Sequence, residues 1–196
     1  MLYLITNRNI IKAGDLYSVI KEAADGGVDA VILREKDLSF EELLPIADKI
    51  KDIIENKNVK LIINGNMDVA KKIKAHGIHI GFKKFMEQKH EFDGLVGVSV
   101  HSLEEAVLAE KNGADYVFAS HVYETDCKKG LKPRGINFIK KIRENIGITL
   151  IGLGGINEKN AQEVICAGID GIAVMSYIMA DKNPYAATKI LKDSIR

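Results

Sequence analysis

Eight times along 196 residues a short run rich in Val, Ile and Leu gives way to a longer amphipathic stretch. That alternation constrains the fold more than any other feature. The short runs are Leu2–Thr6, Ala30–Arg34, Lys60–Asn64, Gly77–Ile80, Leu95–Val100, Tyr116–Ser120, Thr149–Leu153 and Gly171–Met175. Regular β-α alternation favours a parallel sheet, and eight units favour closure into a (β/α)8 barrel over an open doubly wound layer. We expect one TIM-barrel domain spanning residues 1–196, because no Gly/Ser/Pro linker or shift of composition divides the chain.

The helical stretches carry their own stop and start signals. Ser39 with Glu42, and Ser102 with Glu105, fit capping boxes. Helices are expected at 15–26, 40–56, 67–74, 103–112, 136–145, 158–167 and 184–194, while 82–92 is polar and short, about one turn. Three helix ends read alike: Gly27-Val28-Asp29, Gly113-Ala114-Asp115 and Gly168-Ile169-Asp170 each run into a strand. A glycine stop and an aspartate turn therefore recur.

Charge excludes some functions. Lys and Arg total 28 against 27 Asp and Glu, so neither nucleic acid nor membrane is expected as a partner. No run approaches the roughly 18–20 apolar residues of a membrane span. The two cysteines, Cys127 and Cys166, form no pair motif, which suits a reduced, cytoplasmic setting. Cys166 reads as core. A homodimer is compatible with the sequence, which does not fix oligomeric state.

Barrels of this kind place their chemistry at the C-terminal strand ends. These ends are polar here: Arg34 and Lys36, Asn64, Ser99 and His101, His121, Gly154-Gly155, Met175-Ser176. Side chains alternate faces along a strand. Ile32, Arg34 and Lys36 share one face, Gly97, Ser99 and His101 another, and Val117, Ala119 and His121 a third. On that parity, both histidines and both cations point into one pocket. The alternative is a solvated Arg34/Lys36 pair and one buried, hydrogen-bonded histidine. Gly154 and Gly155, before a helix expected at Asn157-Glu158, suggest a phosphate site with Met175 and Ser176 as its other wall. The long loop 122–134, with Thr125, Cys127 and Lys128, suggests a cover over an anion. No metal site and no cofactor are expected. His76 and His79 are near each other but lack a matching carboxylate or cysteine set, and both read as structural.

Several segments, in order along nearly the whole chain, resemble the thiamine phosphate synthase/TenI superfamily. They include Ile32–Lys36, Ile63-Asn64, Gly77–Gly81, Gly97–Ser102, Gly113–Val117, Gly152–Ile156 and Gly171–Ser176. The resemblance implies a barrel acting on a small phosphorylated thiazole. It implies one of two activities: synthases join a pyrimidine pyrophosphate to thiazole phosphate using magnesium, and the TenI branch tautomerises a carboxythiazole phosphate. Three positions depart from the synthase pattern. Ile32 replaces a glutamine, Gly65 an aspartate, and Lys84 an acidic magnesium ligand. The segment Ser120–Leu131 is similar to the TenI segment that carries a catalytic histidine, which lands on His121. The expectation is therefore a thiazole tautomerase with His121 as acid/base. Gly154, Gly155, Met175 and Ser176 would hold phosphate. Arg34, Lys36, Asn64, Ser99, His101, Thr125 and Lys128 would contact the substrate. Thiamine phosphate synthase and a non-catalytic ligand-binding or regulatory barrel are the alternatives.

Overall fold

The computed structural model describes residues 1–87, 91–125 and 130–196. Its strands are β1 (Leu2–Ile5), β2 (Ala30–Leu33), β3 (Lys60–Asn64), β4 (Gly77–Gly81), β5 (Leu95–Val100), β6 (Tyr116–Ser120), β7 (Thr149–Leu153) and β8 (Gly171–Val174). They pair in sequence order, all parallel, and β8 closes on β1, with Leu2 opposite Ile172. The helices are α1 (Leu16–Gly26), α2 (Phe40–Ile54), α3 (Met67–Lys72), α4 (Phe82–Glu87), α5 (Leu103–Lys111), α6 (Gly135–Arg143), α7 (Ala161–Cys166), α8 (Ser176–Met179) and α9 (Pro184–Asp193). None of the described helices is long and apolar enough to cross a membrane.

The expected (β/α)8 barrel is what forms. The strand alternation splits the apolar residues into two layers. Leu2, Leu4, Val31, Leu33, Leu61, Ile63, Val117, Ala119, Leu150 and Ile172 join the core between sheet and helices. Tyr3, Ile5, Ile32, Ile62, Tyr116, Phe118, Ile151 and Ala173 fill the barrel interior. Phe118 is 1% exposed, so truncating it would leave a cavity costing about 3–5 kcal/mol.

The repeated aspartates have one job. Asp29 accepts the Leu2 N–H, Asp115 the Val96 N–H and Asp170 the Leu150 N–H, at 2.6–2.8 Å. Each aspartate's own N–H donates back to the carbonyl of the same residue. The aspartate before an even-numbered strand thus clamps the start of the strand preceding it. Before β4 the clamp is His76: its Nδ1 accepts the Leu61 N–H at 3.1 Å, and its N–H donates to the Leu61 carbonyl. A neutral imidazole nitrogen here takes the place of a carboxylate oxygen.

Some boundaries differ from expectation. The box at Ser39 closes as read, with Glu42 reaching back to the Ser39 N–H. At α5 Ser102 accepts the Glu105 N–H, but Glu105 turns to the N–H of His101. The polar segment after β4 forms a short helix, α4, buried through Phe85. Cys166 is exposed, not core, because it sits at the solvent side of the last turn of α7.

Candidate active site

A cavity of about 510 Å³ opens at the C-terminal end of the barrel. Its floor is apolar: Ile5, Ile32, Phe118, Leu153 and Ala173. Polar groups rise around it from seven different strand ends or the loops beyond them. The size suits a small organic ligand.

On the β2–β3 side, Arg34 and Asn64 line the cavity. Among the described residues the Arg34 guanidinium pairs with no carboxylate. Its backbone is fixed instead: the Arg34 N–H donates to Thr6 Oγ1 at 2.9 Å, and Thr6 Oγ1 donates to buried Glu35 at 2.8 Å. Glu35 is in turn paired with Arg8 at 2.9 Å. The buried carboxylate is thus satisfied outside the cavity, and Arg34 is the one Lys or Arg on the described lining. Lys36 does not follow it. β2 ends at Leu33, so alternation stops, and Lys36 is exposed away from the cavity lining.

Across β4–β6 lies a buried polar chain. His79, 3% exposed, places Nε2 2.8 Å from Ser99 Oγ and Nδ1 3.2 Å from Tyr116 Oη. Its ring centroid lies 4.4 Å from that of Phe118, with the two planes tilted by 40°. Burial pulls the imidazole pKa down to about 3, so it is neutral near pH 7. His79 lines the cavity with Ser99. The expectation of a purely structural His79 overlooked its parity: Gly77, His79 and Gly81 alternate with Ile78 and Ile80, whose side chains belong to the outer core.

His121 also lines the cavity and is 4% exposed. Its expected parity is wrong. Val117 and Ala119 face the helices, and Tyr116, Phe118 and Ser120 face inward. His121 reaches the cavity because it lies one residue beyond β6, in a loop held on both sides. The Val122 N–H donates to the Leu153 carbonyl and that of Tyr123 to the Gly154 carbonyl, while Arg134 and Gly135 donate back to His121 and Val122. The Leu131 carbonyl, 3.2 Å from His121 Nε2, can only accept, so Nε2 is the donor of that bond.

Gly154 and Gly155, after β7, line the cavity with Met175 and Ser176, which follow the neighbouring strand β8. Their role differs in part from the expected one. Both have positive φ, +103° and +67°; a Cβ on Gly154 would strike His121, and one on Gly155 the backbone at Tyr123 and Glu124. The glycines therefore let the β6 loop pack down. The helix expected at Asn157-Glu158 starts later, at Ala161, after a turn in which the Asn157 N–H donates to Asn160 Oδ1. Tyr177 completes this wall. Burial first, and its bond to Glu158 second, push its pKa up to about 12, so it is a neutral donor.

Thr125 lines the cavity. Lys128 and Cys127, expected on the same loop, lie outside the described residues. His101 does not enter the cavity: β5 ends at Val100, and the His101 ring sits 3.5 Å from Glu105. Ser120, Glu124, Asn157 and Tyr177 line the cavity without having been singled out. For Ser120 the inward Tyr116–Phe118 alternation was the available signal.

Comparison with known proteins gives a consistent result. A family model described as thiamine monophosphate synthase matches residues 2–178. Thiamine-phosphate synthase of Clostridium acetobutylicum is 39% identical over 199 residues, covering 100% of this chain and 94% of that one. That of Caldanaerobacter subterraneus is 39% identical over 200 residues, covering 100% and 93%. A solved structure, thiamine phosphate pyrophosphorylase from Pyrococcus furiosus, superposes with a TM-score of 0.87 at 32% identity, covering 99% of this chain and 94% of that one. These full-length relatives carry the synthase name, and they overturn the expectation of a thiazole tautomerase that rested on Ile32, Gly65 and Lys84 departing from the synthase pattern, on His121 and on the Ser120–Leu131 segment. The chain belongs to the thiamine monophosphate synthase family.

Proposed function

We propose that this protein is a thiamine-phosphate synthase, a transferase that joins a pyrimidine pyrophosphate to a thiazole phosphate and releases pyrophosphate. The observation that carries the reading is 39% identity to a named synthase over the whole chain. The cavity supports it. It has a cation and an amide after β2 and on β3, Arg34 and Asn64, and a glycine turn beside Met175 and Ser176 after the neighbouring strands β7 and β8. Two anionic substrates can be held at these two places with the apolar floor of Ile5, Ile32 and Phe118 under the rings. The bond from the pyrimidine methylene to pyrophosphate breaks, and the thiazole nitrogen supplies the new electron pair. Charge on the departing group is what the protein must stabilise. Arg34, with no carboxylate to neutralise it among the described residues, is the group we assign to that task. Gly154, Gly155, Met175 and Ser176 are assigned to the thiazole phosphate, and Ser99, Asn64 and Thr125 to polar contacts along the cavity.

The family resemblance implies magnesium. Magnesium wants several hard oxygen ligands. No group of three His, Cys, Asp or Glu residues among the described residues could hold a metal ion, and Glu124 is the one carboxylate on the described lining. Lys84, where the family pattern supplies a carboxylate, donates its ammonium to the Gly65 carbonyl at 2.9 Å. The described donors do not fit the ion. The test is a direct assay of thiamine phosphate formation from the two substrates, with and without added magnesium. Turnover at or above about 0.1 s⁻¹, a slow but enzymatic rate, is expected. No product under either condition would refute the assignment.

A further inference from the structure

The groups His79, Gly97 and Tyr116 stand side by side across three strands: His79 is in register with Gly97, and Gly97 with Tyr116. Gly97 is the gap in this row. A Cβ there would collide with the Tyr116 ring at Cζ and Oη. The absence of a side chain lets the phenol cross β5 and reach the imidazole on β4. One step up the barrel, Gly81 is in register with Ser99, and the Ser99 hydroxyl meets the other imidazole nitrogen. Three residues on three strands thus form one line, running from the sealed interior to the cavity wall.

The direction of the hydrogen bonds in that line follows from what each end can find. Tyr116 is 2% exposed among Tyr3, Phe118 and other apolar groups, and among the described residues its hydroxyl meets only His79 Nδ1. If Nδ1 carried the proton, the Tyr116 O–H would be left buried without an acceptor, the costly arrangement for a polar group. The Tyr116 O–H therefore donates to Nδ1. The neutral ring then has its proton on Nε2 and donates it to Ser99 Oγ. The serine oxygen is occupied as an acceptor, and its own proton is free for the cavity. Burial keeps the imidazole uncharged over the working pH range, so the direction does not reverse by protonation.

We propose that Tyr116, acting through His79, sets the Ser99 hydroxyl as a hydrogen-bond donor toward an anionic oxygen of the bound ligand. Tyr116 and His79 are positioning residues, and Ser99 makes the contact. The proposal deepens the function proposed above only in naming the ligand atom class; the tautomer itself is independent of the reaction.

The experiment combines long-range ¹H–¹⁵N NMR of the histidine ring with calorimetric titration of inorganic pyrophosphate in magnesium-free buffer. The His79 signals are assigned by their loss in His79→Gln. Wild-type protein should show Nε2 protonated and Nδ1 bare from pH 5.5 to 8. Ser99→Ala should keep that tautomer and raise the pyrophosphate Kd roughly 10- to 100-fold, the loss of a bond to a charged group. Tyr116→Phe keeps the ring over Gly97 but frees the tautomer. Where Nδ1 holds the proton, Ser99 must donate to Nε2 and is unavailable to the ligand. A competent fraction falling to between about 0.5 and 0.1 raises the Kd two- to tenfold, with mixed Nδ1 and Nε2 signals. An Nδ1-protonated ring in the wild type overturns the proposal. So does absence of pyrophosphate binding, an unchanged Kd in Ser99→Ala, or a weakened Tyr116→Phe whose tautomer has not moved. Should Tyr116→Phe not fold, the wild-type tautomer and Ser99→Ala decide the matter. Failure of synthase turnover alongside these expected results would refute the reaction and leave the hydrogen-bond line standing.

Discussion

Replacing His79 by glutamine should remove an acid-sensitive part of the protein's stability. Burial lowers the folded-state pKa from 6.5 to about 3. Below pH 6.5 the unfolded chain takes up a proton that the folded chain refuses. Stability is therefore flat above pH 6.5, falls as pH drops, and levels off only below about 3. At pH 5 the loss relative to pH 8 is RT ln(1 + 10^1.5), about 2 kcal/mol, and the whole shift corresponds to about 5 kcal/mol. That is a sizeable share of a typical total of about 5–15 kcal/mol. Glutamine has both a donor and an acceptor for Ser99 and Tyr116 and does not titrate. Urea unfolding followed by circular dichroism at pH 8, 7, 6 and 5 gives the test. Other groups titrate in both proteins and cancel in the difference. His79→Gln is expected to be the less stable protein at pH 8, because its amide fills the imidazole's place imperfectly. Its deficit should shrink by about 2 kcal/mol by pH 5. Two curves that run parallel over that range would refute the reasoning, whatever their offset.

Arg34→Gln should raise the pyrophosphate Kd about 10- to 100-fold by calorimetry. It should leave the melting temperature within about 2 °C, since no described carboxylate depends on the guanidinium. Gly155→Ala places a Cβ against the Tyr123–Glu124 backbone at a φ of +67°; about 1–3 kcal/mol of stability should be lost in urea titrations, with weaker inorganic phosphate binding as the β6 loop lifts. Asp115→Ala strands the Val96 N–H at the opposite end of the barrel. It should cost about 1–3 kcal/mol by the same measurement, with the pyrophosphate Kd changed less than about twofold.

The fold was legible because one signal repeats. Each strand had a short apolar run, several helices an end mark, and eight repeats left few alternatives. The glycine-aspartate turns were visible as a pattern, but their purpose was not. Asp29 clamps Leu2, 27 residues away, and such a partner appears only when neighbouring strands are in register. His76 shows the limit more sharply, since nothing in its sequence neighbourhood likens it to an aspartate. Parity held inside strands and was no guide past their ends. Ser99, inside β5, and Arg34, one residue past β2, fell where expected, whereas Lys36 and His101 did not, because two-residue alternation has no authority once the chain leaves the ladder. His121 fell in the cavity for a reason other than the one that pointed to it.

The function was misread at the same kind of place. One histidine, one loop segment and three departures from the synthase pattern, at Ile32, Gly65 and Lys84, outweighed a resemblance that spans the chain, and the full-length relatives reverse that weighting. The physical content of the site explains why a single residue was a poor guide. The polar groups of the cavity come from separate strands: a cation just after β2, an amide on β3, a hydroxyl on β5 and a glycine turn after β7. None of these is distinctive alone. What distinguishes this cavity is the order in which they surround it, and the buried line from Tyr116 to Ser99 that gives one hydroxyl a fixed direction. A feature of that kind depends on a glycine in one strand making room for a ring from the next. It leaves no motif in the sequence, only the coincidence of Gly97 with His79 and Tyr116 once the strands are paired.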